Sequence, residues 1–245
     1  MVIVLRRHHL IISICICFIL GFLYRLKTTE VVSTFALPTA YRIIAIDPGH
    51  GGIDPGRIGE QGLDEKDLNL QISLYLQQYL EQSGAHAWMT RREDKGLYEE
   101  SDTNKKRADL KKRIQMINDS QADVTISIHQ NSFPQKQYKG AQVFYHADSE
   151  KAKRLAELIQ AELISFVDPS NHREIKSNDT YYILKQSHMP TVIVECGFIS
   201  NPEEERKLND ENYQQKIAWG IYVGIMKYFY ELDHGTIPTE PLLHQ

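Results

Sequence analysis

The chain has 245 residues, room for one domain of about 200 residues plus a tail. Its 42% hydrophobic and 24% charged residues are ordinary for a globular protein. A formal charge of −4 with no long Lys/Arg run argues against nucleic acid as a partner.

The first 40 residues differ from the rest. "RRHH" at 6–9 precedes "LIISICICFILGFLY" at 10–24, fifteen residues without a formal charge. As a helix this run reaches about 22 Å, short of the roughly 30 Å hydrocarbon core of a bilayer. A positive start before a short apolar core is the build of a signal peptide. Thr34-Phe35-Ala36 is the nearest small-x-small cleavage pattern, and an uncleaved membrane anchor is the alternative. Residues 1–40 are thus expected to be leader or anchor plus linker, 41–232 the folded domain and 233–245 a flexible tail. Without residues 1–40 the formal charge becomes −7. Cys15 and Cys17 lie in the apolar segment, so Cys196 is alone in the domain and no intrachain disulfide forms there. Export without disulfides fits a bacterial envelope.

"YRIIAID" (41–47) is short, apolar and β-branched, as a buried strand is. The loop "PGHGGIDPGRIGEQG" follows, and it is no phosphate loop. It lacks the Gly-Lys-Ser/Thr ending and the G-x-G-x-x-G pattern, and it carries Asp47 and Asp54 nearby. A helix is predicted over 64–82, with Asp64 as N-cap and Leu68, Ile72, Leu76, Tyr79 and Leu80 on one face. "AHAWMT" (85–90) reads as a strand, 97–106 as an exposed loop and about 108–118 as a helix. "ADVTISIHQNS" supplies a strand ending near His129, and "AQVFYH" another. A helix over 150–166, a loop over 167–180, the apolar strand "TVIVECGFIS" (191–200) and helices at 203–208 and 211–230 complete the domain. Strands separated by helices at this spacing imply a single α/β domain, a mostly parallel twisted sheet flanked by helices on both faces.

In such sheets functional groups gather at the carboxyl ends of strands. That rule brings together Asp47 and His50 after the first strand, His129 at the end of the third, Glu195 at the end of the 191–195 run and Glu65 at a helix start. Two histidines and one carboxylate with an open fourth position form a common catalytic zinc shell, and a further unligated Glu suits a proton shuttle. Each residue also has a plainer reading. His50 alone fits a hydrogen bond to its own loop, and Glu65 an acid favoured by the helix dipole. Glu195 is harder to explain as structural, because a carboxylate among core residues needs a partner, a cation or a raised pKa. Cys196 is an alternative nucleophile, but strand alternation points it away from Glu195, and a core thiol is the preferred reading. Among the other histidines only His146 ends a strand-like run.

Through these residues and the motifs around them, the chain resembles the zinc-dependent N-acetylmuramoyl-L-alanine amidases of the third amidase family over about 42–230. "IDPGHGGIDPGRIGEQGLDEKDLNL", "MTRREDK", "LKKRIQMINDSQADVTISIHQNS" and "YILKQSHMPTVIVECGFISNPEEERKL" carry the resemblance, in that order. It implies one zinc ion per chain on His50, Glu65 and His129, with Glu195 as the catalytic residue. Asn131, Arg113 and Asn118 are further candidates for site support. Arg57 and Gln130 stand where the family commonly has smaller residues. The short apolar start followed by a bare catalytic domain is most similar to the germination-specific, spore-cortex branch. That branch implies hydrolysis of the amide between N-acetylmuramic acid and L-alanine in peptidoglycan, a step towards muramic-δ-lactam. It also implies an exported protein in the cell envelope or the forespore intermembrane space, with an exported activating protein as a candidate partner. A vegetative autolysin of the same chemistry, a non-catalytic wall-binding protein and a glycosidase using Glu65 and Glu195 are the alternatives.

Overall fold

The computed structural model describes residues 14–20 and 36–237. Residues 14–20 are helical and form part of a unit of their own. Most of the expected leader, and residues 238–245 of the expected tail, lie outside the described residues. Among the described residues, no helix is long and apolar enough to cross a membrane.

In the second unit, beginning at Ala36, six strands form one sheet. In chain order these are β1 (Ile43–Pro48), β2 (His86–Met89), β3 (Val124–Asn131), β4 (Gln142–Tyr145), β5 (Lys176–Ser177) and β6 (Thr191–Phe198). Their spatial order is β2-β1-β3-β6-β4-β5. The pairs β1–β2, β1–β3, β3–β6 and β4–β5 are parallel, whereas β4 runs antiparallel to β6. The expected mostly parallel sheet is therefore what forms, with one reversal at β4. The helices are α1 (Glu65–Gln82), α2 (Lys105–Asp119), α3 (Glu150–Glu162), α4 (Tyr182–Gln186), α5 (Pro202–Leu208) and α6 (Glu211–Asp233).

Period-2 alternation divides the sheet into two faces. Ile44, Ile46, Ile126, Ile128, Val192, Val194 and Cys196 pack with Leu68, Ile72, Leu76 and Leu80 of α1 and with α3 and α6 in the main core. Phe144 and Ile193 face the other way and pack with Ile114 and Ile117 of α2 and Ile183 and Leu184 of α4. The central strands are thus covered on both faces, which is why they read as continuous apolar runs. Burying a Leu or Ile side chain contributes about 1.5–3 kcal/mol, so the α1 stripe alone anchors that helix firmly.

Several boundaries differ from the sequence reading for local reasons. α2 starts at Lys105 because the Asn104 side chain caps it, accepting from Arg107 N at 3.0 Å. The helix expected to reach 166 ends at Glu162 and continues as a π-helical turn, Leu163–Val167. The 167–180 segment contains the short β5, and α4 follows it. α6 runs to Asp233, and Ile237 beyond it is buried in the main core, so packing extends past 233.

Candidate active site

β1, β3 and β6 run parallel and adjacent, so their carboxyl ends form one edge. His129 and Glu195 occupy paired positions there, and one residue later the β3–β6 register shifts. Irregularities of this kind often sit beside active sites, where they re-aim a side chain. Here Gln130 turns its amide to Asn69 of α1 (Nε2 to Oδ1, 3.1 Å), while its backbone N–H donates to Glu65 Oε1 at 3.1 Å.

Glu65, the first residue of α1, is the hub. His50 Nε2 lies 3.2 Å and His129 Nδ1 3.1 Å from the same oxygen, Oε1. Its other oxygen accepts from Arg57 N at 2.8 Å. One ligand atom from each of His50, Glu65 and His129 falls within a 4.8 Å cluster. Burial works to raise the Glu65 pKa, but the two imidazoles outweigh it and hold the carboxyl far below the usual range. His50 moves the other way. Burial would lower its pKa, but Glu65 and Asp54 together raise it. Two nitrogens and a carboxylate oxygen turned toward one point make a donor set that fits zinc.

The glycine loop makes this convergence sterically possible. A Cβ at Gly49 would lie 2.2 Å from His129 Cε1, so only glycine lets that ring lie against the loop. A Cβ at Gly56, where φ is +72°, would lie 2.6 Å from Glu65 Oε2. His50 itself has φ 64°, a left-handed conformation uncommon outside glycine and often held at functional sites.

Buried charges fix the loop. Asp47 accepts hydrogen bonds from Thr90 Oγ1 (2.7 Å), Ser127 Oγ (2.8 Å) and Arg113 Nη1 (2.8 Å). Burial alone would raise the Asp47 pKa; the Arg113 charge and the Thr90 bond bring it down to about 2. Arg113 also donates to the carbonyls of Pro48 and His50, and Arg91 to those of Pro48, Gly49 and Lys66. The loop that carries His50 thus hangs from two buried guanidinium groups. Asp54 accepts from His50 Nδ1 at 2.8 Å, which leaves Nε2 to face Glu65. Lys106 Nζ in turn pairs with Asp54 at 2.6 Å.

Glu195 borders this cluster, 9% exposed, with an Oε2 that has no hydrogen-bond partner among the described residues. Burial pushes its pKa up to about 7; the Glu65 charge adds to the rise and the two histidines oppose it. His50, Glu65, His129 and Glu195 line one cavity of about 470 Å³, together with Asp54, Arg57, Lys106, Gln130, Asn131 and Tyr181.

The sequence-derived candidates separate clearly. His50, Glu65, His129 and Glu195 converge, Asn131 lies on the cavity wall, and Arg113 supports the loop from beneath. Asn118 is not brought to the site. Its amide links Gln186 O and His188 N near the entry of β6, at the opposite edge of the sheet, because it sits at the end of α2 that precedes β3. Cys196 points into the main core, 1% exposed, and burial pushes its thiol pKa up. His146 lines a separate cavity with His188 and Thr191. Sequence reasoning missed Thr90, Arg91, Lys106 and the orienting role of Asp54. Only Asp54 left a local signal, its i,i+4 spacing from His50.

A His-Glu-His cluster flanked by a buried carboxylate of raised pKa, at the carboxyl edge of a mostly parallel sheet, is the arrangement of a hydrolytic enzyme with a candidate metal centre. Comparison with known proteins narrows that class. The profile of the N-acetylmuramoyl-L-alanine amidase family matches residues 44–227, and the chain belongs to this family of enzymes. It is 36% identical over 224 residues to the germination-specific N-acetylmuramoyl-L-alanine amidase of Bacillus subtilis, covering 87% of this chain and 94% of that one. The CwlD amidase of Clostridioides difficile, solved in complex with the GerS lipoprotein, superposes with a TM-score of 0.75 at 45% identity, covering 77% of this chain and 98% of that one. An N-acetylmuramoyl-L-alanine amidase from Clostridium difficile 630 gives a TM-score of 0.70 at 34% identity, covering 78% and 98%.

Proposed function

We propose that the chain is a zinc-dependent amidase that cleaves the bond between the lactyl carbonyl of N-acetylmuramic acid and L-alanine in peptidoglycan, with spore cortex as its substrate. The observation that carries this reading is the convergence of His50, Glu65 and His129 within 4.8 Å beside the unpartnered Glu195 carboxylate. Likeness to a germination-specific amidase supports the cortex assignment.

His50 Nε2, Glu65 Oε1 and His129 Nδ1 are the atoms that would hold the ion. When bound, zinc supplies Lewis acidity, activating water at its open position and polarising a carbonyl oxygen. Glu195 accepts a proton from the attacking water as the new C–O bond forms. It then gives that proton to the alanine nitrogen as the C–N bond breaks, leaving a lactyl carboxylic acid, which ionises to the solvent, and a free amine. Burial favours the protonated form of this carboxyl, which suits a group that takes up a proton and then gives it back. Asp54 holds the His50 ring in place, and Arg113 and Arg91 hold the loop that carries it.

Residues 1–40 serve as an export leader or membrane anchor, placing the domain in the cell envelope. The relative solved with a lipoprotein supports an exported protein as partner. The product chemistry tests the reading. Cortex peptidoglycan treated with the purified protein should gain free L-alanine amino termini without new reducing ends. New reducing ends alone would mean a glycosidase instead.

A further inference from the structure

Tyr181 lines the same cavity as His50, His129 and Glu195 with a ring whose hydroxyl has no hydrogen-bond partner among the described residues. Its position is built rather than incidental. Asn178 Oδ1 accepts from the backbone N–H groups of Thr180 (2.8 Å) and Tyr181 (3.0 Å), and Tyr181 O accepts from Lys185 N at 3.1 Å as α4 begins. The ring packs edge-on against Phe144, with centroids 5.7 Å apart and planes at 77°.

Strand register locates that ring relative to the chemistry. Phe144 pairs with Ile193 across β4–β6, and Gln142 with Glu195, so Phe144 lies on the face that presents Glu195. Across the sheet, His50 follows β1, His129 stands on β3, Glu195 on β6, and Tyr181 rests on β4 through Phe144. Tyr181 therefore lines the cavity on the side beyond Glu195, across β3 and β6 from the loop that carries His50 and Asp54. The residue is 37% exposed; the burial it does have, together with the charges of Glu195 and Glu65, raises its pKa, so it remains an O–H donor.

We propose that Tyr181 is a further catalytic residue, whose hydroxyl donates a hydrogen bond to the scissile carbonyl oxygen of the substrate. The inference rests on the amidase reading above. Negative charge gathers on that oxygen as water adds to the carbonyl carbon, so a fixed donor there stabilises the transition state more than the ground state. The phenolic O–H bond is not broken. The proton from water still travels through Glu195 to the departing amine.

The test is Tyr181→Phe in the full chain, which keeps the ring and its packing on Phe144 and removes only the hydroxyl. Steady-state release of L-alanine amino termini, bound zinc and thermal unfolding are measured beside the parent protein. The expected result is a kcat lower by on the order of 10²-fold, with KM, zinc content and unfolding unchanged. An unchanged kcat overturns the inference. So does a rise in KM at constant kcat, which would mean ground-state binding, or a loss of kcat that tracks a loss of zinc. If the zinc-loaded parent protein, assayed also with its exported partner, releases no amino termini, the amidase reading itself fails and the inference falls with it.

Discussion

His129 on β3 and Glu195 on β6 are partners in one rung of a parallel ladder. The ladder therefore sets a candidate metal ligand and the proposed proton carrier side by side, with no loop geometry between them. It follows that the two can be separated by mutation. Glu195→Ala is expected to lower turnover by about 10²–10⁴-fold while retaining zinc, whereas His129→Ala loses both. Metal analysis and amino-terminus release on the same samples check this; zinc-dependent hydrolysis surviving in Glu195→Ala would contradict the assignment.

Gly49→Ala tests the close approach of loop and ligand. The added Cβ would stand 2.2 Å from His129 Cε1, and the ring must turn away. Zinc affinity measured by calorimetric titration should fall at least about 10-fold, the scale seen when the support of a ligand is disturbed. Unaltered affinity would show that His129 is not held where the loop requires.

The Asp47–Arg113 pair makes stability depend on pH in a defined direction. The folded pKa of Asp47, about 2, lies below its ordinary value of 3.8, so the pair's contribution is complete above about pH 4. It is lost as pH falls towards 2. Arg113→Met leaves the carboxylate buried without its partner and is expected to cost about 3–5 kcal/mol in urea unfolding at pH 7.

Glu195 has the opposite sign. Its folded pKa of about 7 exceeds the ordinary 4.5, so the native state binds a proton that the unfolded chain has released between these values. In chelated protein its contribution is present at pH 4 and is lost as pH rises through 7. At pH 8 the buried charge costs at most about 3 kcal/mol. Chelated Glu195→Gln should therefore melt above the parent at pH 8 and level with it at pH 4, as calorimetry would show.

Cys196 is expected to be inert. Sealed in the core with a raised pKa, it should leave turnover unchanged after native-state alkylation. Loss of activity that tracks modification of Cys196 would revive the thiol nucleophile.

Much of this was legible in the chain, and the limits have physical causes. The long elements announced themselves through period: Leu68, Ile72, Leu76 and Leu80 form a stripe that only a helix buries on one side. α4 is five residues long, too short for a period, and β5 has two residues. The reversal at β4 is a tertiary fact with no local mark. In the site, His50, Glu65, His129 and Glu195 were readable because each lies near or just beyond the carboxyl end of a strand or starts a helix. Of their supports Arg113 was legible but Thr90, Arg91 and Lys106 were not, because such contacts join distant residues, as Thr90 meets Asp47 across 43 residues of chain. Asn118 shows the complementary error. A polar residue on the right helix proved to sit at the wrong end of it.

The central claim is that His50, Glu65 and His129 hold a zinc ion on which Glu195-dependent hydrolysis relies. The most direct measurement is the release of L-alanine amino termini from cortex peptidoglycan by the purified full chain, before chelation, after it, and after zinc is restored. Activity lost on chelation and recovered with about one zinc per chain is the predicted result. Release that continues undiminished in metal-free protein would contradict it.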